Sequence, residues 1–265
     1  MQVKKNKDKR GIFVVVDGLD SSGKGEIERA LVQFEQKYGK AVFDTISFSR
    51  GCRKGLPELS DFWAPPERYF DTIVTAEPTY AMIGAAIRDE IVRDNRRVYS
   101  PRAEIQAYSL DRLVNMQRIV IPALENGLTV IQSRCLASTI TYQLLRAEEE
   151  GYDKEKIKEE ILDQEGNKLQ LLQYPPDLLM IAVLDDINKI IKRLEERKKY
   201  IKDDRSIFDN INFQKKLDSL YRSNELKMFF ENHGTRVEYI DTSKTVDKTK
   251  KQVVHIYQRF LEDLK

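Results

Sequence analysis

The sequence predicts an α/β fold of three layers, α/β/α, with helices covering both faces of a central parallel sheet. Three observations carry that expectation. Strand-like and helix-like segments alternate along the chain, the pattern of β-α-β units. The candidate strands are short, β-branched and apolar at successive positions, as strands buried on two sides must be. The first of them, Gly11–Asp17, runs into a glycine-rich loop that opens an amphipathic helix.

In chain order, the first strand carries the apolar run Ile12–Val16. After the loop, Ile27, Leu31, Phe34 and Tyr38 recur on one face of a helix that Gly39 is expected to end. A second strand is expected over Ala41–Ser47. Residues 48–70, with Arg50, Arg53, Trp63 and Pro65–Pro66, show no clear period and read as a long functional or mobile connection. Thr72–Ala76 is the third strand, and Ile83, Ile87 and Ile91 mark the helix behind it. Leu113, Met116 and Val120 mark another, which Pro122 should bend or end. Further strands are expected at Leu128–Gln132, Leu178–Leu184 and Arg236–Ile240, and Val253, Tyr257, Phe260 and Leu261 pack a C-terminal helix. Residues 147–176 read as an excursion, a helix and a small hairpin turning at Glu165-Gly166-Asn167.

At 265 residues the chain is expected to form one domain with two insertions, 48–70 and 147–176, behind a flexible tail at 1–10. Lys and Arg number 45 against 43 Asp and Glu, a balance that argues against nucleic acid as a partner. No apolar run approaches the ~20 residues of a membrane span and no signal peptide is seen, so no membrane partner is expected. Two cysteines, Cys52 and Cys135, are too few for a disulfide framework and suggest a cytoplasmic location. The two histidines, His233 and His255, make histidine-based metal or triad chemistry improbable.

Residues 18–25 read Gly-Leu-Asp-Ser-Ser-Gly-Lys-Gly, the G-x-x-x-x-G-K frame of a phosphate-binding loop, which narrows the fold to the P-loop NTPase type. Glycines let backbone N–H groups turn inward, and the following helix aims its positive end at the same place. Gly18, Leu19, Asp20, Ser21, Ser22, Gly23, Lys24, Gly25 and Glu26 are thus the expected nucleotide cradle, with Lys24 reaching the β- and γ-phosphates. Gly25 is anomalous: a Ser or Thr hydroxyl here normally ligates Mg²⁺, and Glu26 follows rather than Thr. A bridging water held by Asp17 or another carboxylate could substitute, because Mg²⁺ readily keeps waters.

Downstream stand Glu77-Pro78-Thr79 with Ile83-Gly84 and Ile87-Arg88, then Tyr108-Ser-Leu-Asp111-Arg112, then Ser133-Arg134-Cys-Leu-Ala-Ser138-Thr139-Ile-Thr-Tyr142-Gln143, and Pro176-Asp177 before a strand. In order and spacing these motifs resemble the thymidylate kinase family of P-loop nucleoside monophosphate kinases. The resemblance covers nearly the whole chain outside residues 48–70 and 147–173. It implies that Tyr108 stacks on thymine, that Arg112 contacts the base or steers the monophosphate, and that Arg134 binds the 5′-phosphate. It places Thr139 near the base, Tyr142 and Gln143 along the sugar and base pocket, Arg88 and Glu77 on the substrate side, and Asp20 between sugar hydroxyl and acceptor phosphate. The chain departs from the family pattern at Ser133 (usually Asp), Cys135 (Tyr), Ala76 (often Arg) and Asn115 (often His). The first of these removes a carboxylate beside an already altered loop, and Cys135 reads as a packing residue.

Family members without an arginine in the phosphate loop supply one from a mobile lid, and Ser21 holds that loop position here. The lid is expected at about 193–206, with Arg193, Arg197 and Arg205 as preferred cations to close over the transferring group. The resemblance thus implies ATP-dependent phosphorylation of dTMP to dTDP with ATP and Mg²⁺, by a homodimer. Two other readings stay open: a related kinase of altered acceptor or donor specificity, and a nucleotide-binding protein with weakened catalysis.

Overall fold

The computed structural model describes residues 10–52, 55–200 and 211–264. Six parallel strands make the central sheet: β1 (Phe13–Gly18), β2 (Val42–Asp44), β5 (Thr72–Ala76), β6 (Thr129–Ser133), β7 (Leu178–Val183) and β8 (Arg236–Asp241), in the order β2-β5-β6-β1-β7-β8. Two short strands, β3 (Trp63–Ala64) and β4 (Arg68–Tyr69), pair separately as an antiparallel hairpin. Each expected sheet strand is present. The second is shorter than expected, because after Asp44 the chain turns directly into a helix.

The helices are α1 (Lys24–Lys37), α2 (Thr45–Cys52), α3 (Leu59–Phe62), α4 (Met82–Ala86), α5 (Pro101–Asn115), α6 (Ile121–Glu125), α7 (Leu136–Glu149), α8 (Lys154–Asp163), α9 (Glu165–Lys168), α10 (Ile187–Tyr200), α11 (Ile211–Tyr221), α12 (Asn224–Asn232) and α13 (Val246–Asp263). Three π-helical turns follow α4, α5 and α9, at Ile87–Val92, Met116–Val120 and Leu169–Gln173.

The pleat divides the core. On β1, Val14 and Val16 face a layer built from Ile27, Leu31 and Phe34 of α1 and Val253, Tyr257 and Phe260 of α13. Phe13 and Val15 face the opposite layer, with Ile105, Met116, Ile119 and Leu136. That alternation of neighbours in an unbroken apolar run is what a sheet covered on both sides requires. Tyr38 departs from the expected α1 stripe: it is 60% exposed and packs against Phe34, with ring centroids 4.7 Å apart. Gly39 ends the helix with φ +78° as expected.

Three other expectations are corrected. Of the two outcomes expected at Pro122, an end is not seen: the π-helical turn before it closes the Ile121 N–H onto Met116, and α6 resumes with the proline in its first turn, where a missing N–H costs little. Residues 48–70 are not an unstructured connection but contain most of α2, then α3 and the β3–β4 hairpin, where Trp63 packs on Tyr69 with centroids 4.9 Å apart. Residues 147–176 contain no hairpin. They are helical, and Gly166 is there for close approach: a Cβ at that position would lie 2.1 Å from the Ser109 carbonyl oxygen of α5.

Candidate active site

Parallel strands bring their carboxyl ends to one edge, and the loops after β1, β5 and β6 meet there, the place where open α/β sheets bind ligands. Val16 and Ala76 both pair with Ser133, so the phosphate loop, the Glu77 turn and Arg134 leave the sheet side by side. Between them lies a cleft of about 620 Å³ lined by the loop, by Glu77, Tyr80, Arg88, Ser133 and Arg134, and on the far side by Arg193 and Thr242.

The loop turns on Gly23, whose φ of +97° favours a residue without Cβ and which sits against Thr242. Thr242 donates from Oγ1 to the Ser22 carbonyl, fixing the loop from β8's end. Lys24 lies folded over the loop: its Nζ donates to the carbonyls of Gly18 (3.1 Å) and Leu19 (2.6 Å). Burial, assisted by the nearby Arg134 guanidinium, lowers the Lys24 pKa to about 8.

Arg134 is the centre of the charge arrangement. Its backbone is left-handed, φ +64°, a strain that survives only where surroundings hold it. They do: its N–H donates to Val16 (2.8 Å), and its guanidinium pairs with Asp20 and donates to Ser138 (2.8 Å). The Asp20 carboxylate also accepts from Tyr142 at 3.4 Å, whose ring lies 5.4 Å from the Arg134 guanidinium. Arg88 donates from Nε to the carbonyls of Pro78 and Thr79, each at 3.1 Å, and rests 3.7 Å from the Tyr80 ring centroid. Tyr108 stands among these charges; burial raises its phenol's pKa, keeping it neutral.

Not every expected residue faces the cleft. Arg112 is a buried clamp: it pairs with Glu77 (Nη2 to Oε2, 2.8 Å), donates to Thr139 (3.0 Å) and to Asn167. Burial raises the Glu77 pKa to about 7, with Arg112 opposing. Arg112, bonded to Thr139, thus holds Glu77 in this arrangement, and Gln143 is buried within α7. Asp17 is likewise committed: fully buried, it accepts from the Gly18 N–H (2.7 Å), the Ser138 N–H (3.1 Å) and hydroxyl (2.7 Å), the Cys135 N–H (3.1 Å) and the Tyr221 hydroxyl (2.9 Å). Its oxygens are so occupied that holding a bridging water, the part expected of it, would require one of these bonds to give way. Burial holds the Cys135 thiol's pKa well above its ordinary value, so it packs rather than reacts. Among the expected lid cations, Arg193 reaches the loop, donating to Ser21 (3.3 Å) and Thr242 (3.1 Å) carbonyls. The Arg197 side chain and Arg205 lie outside the described residues.

Sequence reading missed Tyr221, Tyr80 and Thr242. Tyr221 and Thr242 act across more than 200 residues of chain on Asp17 and Ser22, and no local pattern announces such contacts. Tyr80 stands directly after Glu77-Pro78-Thr79, where an aromatic ring beside that motif was a usable signal.

Among the described residues no helix is long and apolar enough to cross a membrane, and no group of three or more His, Cys, Asp or Glu could hold a metal by itself. The thymidylate kinase family profile matches residues 64–253. A probable thymidylate kinase of Pyrococcus abyssi is 28% identical over 141 residues, 52% of this chain and 54% of that protein. The thymidylate kinase of Clavibacter michiganensis is 40% identical over 103 residues, 38% of this chain and 48% of that one. The chain thus spans about half the length of these relatives, whereas with the thymidylate kinase of Brachyspira hyodysenteriae it aligns over 81% of each at 24% identity. The solved thymidylate kinase of Candida albicans shares the fold, with a TM-score of 0.65 over 97% of this chain and 94% of that one at 18% identity. With the profile covering well over half its length, the chain belongs to the thymidylate kinase family.

Proposed function

We propose that the protein is an ATP-dependent nucleoside monophosphate kinase that converts dTMP to dTDP. The observation that carries this reading is the convergence of Lys24 and the phosphate loop with Arg88 and Arg134 in one cleft, which the proposal reads as its donor and acceptor sides. Phosphoryl transfer asks mainly for positioning and neutralisation of charge, and this cleft offers both.

In this reading the loop amides and the N-terminus of α1 hold the ATP phosphates, and Lys24 leaves the Gly18 and Leu19 carbonyls for the β- and γ-phosphates. Arg88 and Arg134 hold the acceptor phosphate, and Tyr108 supplies a π-face for the base. An acceptor phosphate oxygen attacks the γ-phosphorus as the bond to the β–γ bridging oxygen breaks, releasing ADP. Arg193, already against Ser21, neutralises charge on the transferring group. Glu77, held by Arg112, buttresses the acceptor wall.

The residues fit a phosphate-bound, largely hydrated Mg²⁺. Asp20, 25% exposed but paired with Arg134 and bonded to Tyr142, is the loop carboxylate that would hold it through a bound water, and open space beside Gly25 has room for a water where a hydroxyl normally stands. When bound, that ion supplies neutralisation of the β- and γ-phosphate oxygens. A homodimer, as the family resemblance implies, is part of the proposal.

ADP release measured with ATP and each of dTMP, dUMP, CMP, UMP and AMP tests the reading. Preference for dTMP is expected; inactivity with every acceptor in folded protein refutes it.

A further inference from the structure

Helix α2 belongs to neither the phosphate loop nor the span matched by the family profile, yet it borders the cleft: Ile46 lines it. Its start is firmly built, with Asp44 accepting from the N–H groups of Ile46 (2.9 Å) and Ser47 (3.3 Å) and from the Ser47 hydroxyl (2.6 Å). Arg50 is one turn beyond Ile46 and so shares its face. Its guanidinium carbon lies 4.0 Å from the Tyr80 ring centroid, while that of Arg88 lies 3.7 Å from the same centroid. The two guanidinium carbons can therefore lie no farther apart than those two distances combined. That bound is within the span of two arginines sharing a single phosphate, and both Tyr80 and Arg88 line the cleft. Arg50 is exposed, and among the described residues it has the Tyr80 ring as a contact and no carboxylate partner, so its N–H donors face water and are available to an anion.

We infer that Arg50 is a second arginine for the acceptor's phosphomonoester, delivered by α2, with Tyr80 as the positioning ring that holds Arg50 and Arg88 at phosphate-bridging distance; this rests on the kinase reading for the acceptor's identity. An anion replaces a weak cation–π contact by charge-assisted hydrogen bonds, which arginine's fork suits. The chemistry required of the ligand is a terminal phosphate, independent of the base.

Calorimetric titration of dTMP, thymidine and ATP into wild type, Arg50→Ala and Arg50→Lys tests it without requiring turnover. Arg50→Ala should weaken dTMP about ten-fold, as loss of one charge-assisted contact does, and leave thymidine and ATP unchanged; Arg50→Lys should recover part of the loss. Unchanged dTMP affinity overturns the inference, as does an equal loss for thymidine, which would mark a merely structural role. Wild type that binds dTMP no better than thymidine also overturns it. Binding without turnover refutes the kinase reading instead, and the Arg50 variants still decide this one.

Discussion

Lys24 provides the sharpest quantitative handle on the phosphate loop. Its partly buried ammonium stands near Arg134, and desolvation lowers its pKa to about 8. A lysine with a lowered folded pKa is charged in both folded and unfolded states below 8, loses its proton first in the folded state, and is neutral in both above its ordinary 10.5. A triphosphate placed against Nζ favours the charged form and returns the pKa upward. Nucleotide binding must then take up a proton: about half at pH 8 and about nine-tenths at pH 9, with affinity about ten-fold weaker at pH 9 than at pH 7. The nucleotide does not confuse the measurement, because phosphate's last ionisation lies near pH 6. Titration of ATP without metal, in buffers of different ionisation enthalpy, reads the proton count directly. Lys24→Met should abolish the uptake at pH 8–9. Zero uptake by wild type over that range, or the same uptake in the variant, would refute the placement of Lys24 against the phosphates.

Two further perturbations test the frame around the loop. Gly25→Thr adds a side chain where a Cβ meets nothing within 4 Å; it should lower the Mg²⁺ concentration needed for half-maximal turnover roughly ten-fold, the scale on which one group at a metal changes affinity. An unchanged Mg²⁺ requirement with intact thermal stability would show that this position does not face the metal. Gly166→Ala forces α9 off α5, where the new Cβ would sit 2.1 Å from the Ser109 oxygen. It should cost ~1–3 kcal/mol in denaturant unfolding and loosen the Asn167–Arg112–Glu77 clamp, and wild-type stability would contradict the close-approach reading.

The sheet was legible because strands buried on both faces read as unbroken apolar runs, and the phosphate loop because its whole logic sits within eight consecutive residues. What the sequence concealed depends on distance along the chain. The motif around Arg112 gives no sign of its partners Glu77, Thr139 and Asn167, which come from 35, 27 and 55 residues away and make it the clamp on Glu77. Glu165-Gly166-Asn167 has the composition of a turn, yet Gly166 serves helix contact, a demand set by α5 rather than by its neighbours. Asp17 shows the same limit: beside a phosphate loop a carboxylate suggests metal, while Tyr221, 204 residues on, helps make it a structural hub. The approach of Arg50 to Tyr80 was hidden because Arg50 sits in a stretch whose short helices carry too few turns to show a period.

The claim that one cleft transfers phosphate from ATP to dTMP is tested most directly by following an isotopically labelled γ-phosphate in a single turnover, with wild type and Lys24→Ala side by side. Label should move into dTDP with wild type and remain in ATP with the variant. Label that stays in ATP with both proteins, or moves equally well with both, would contradict the account.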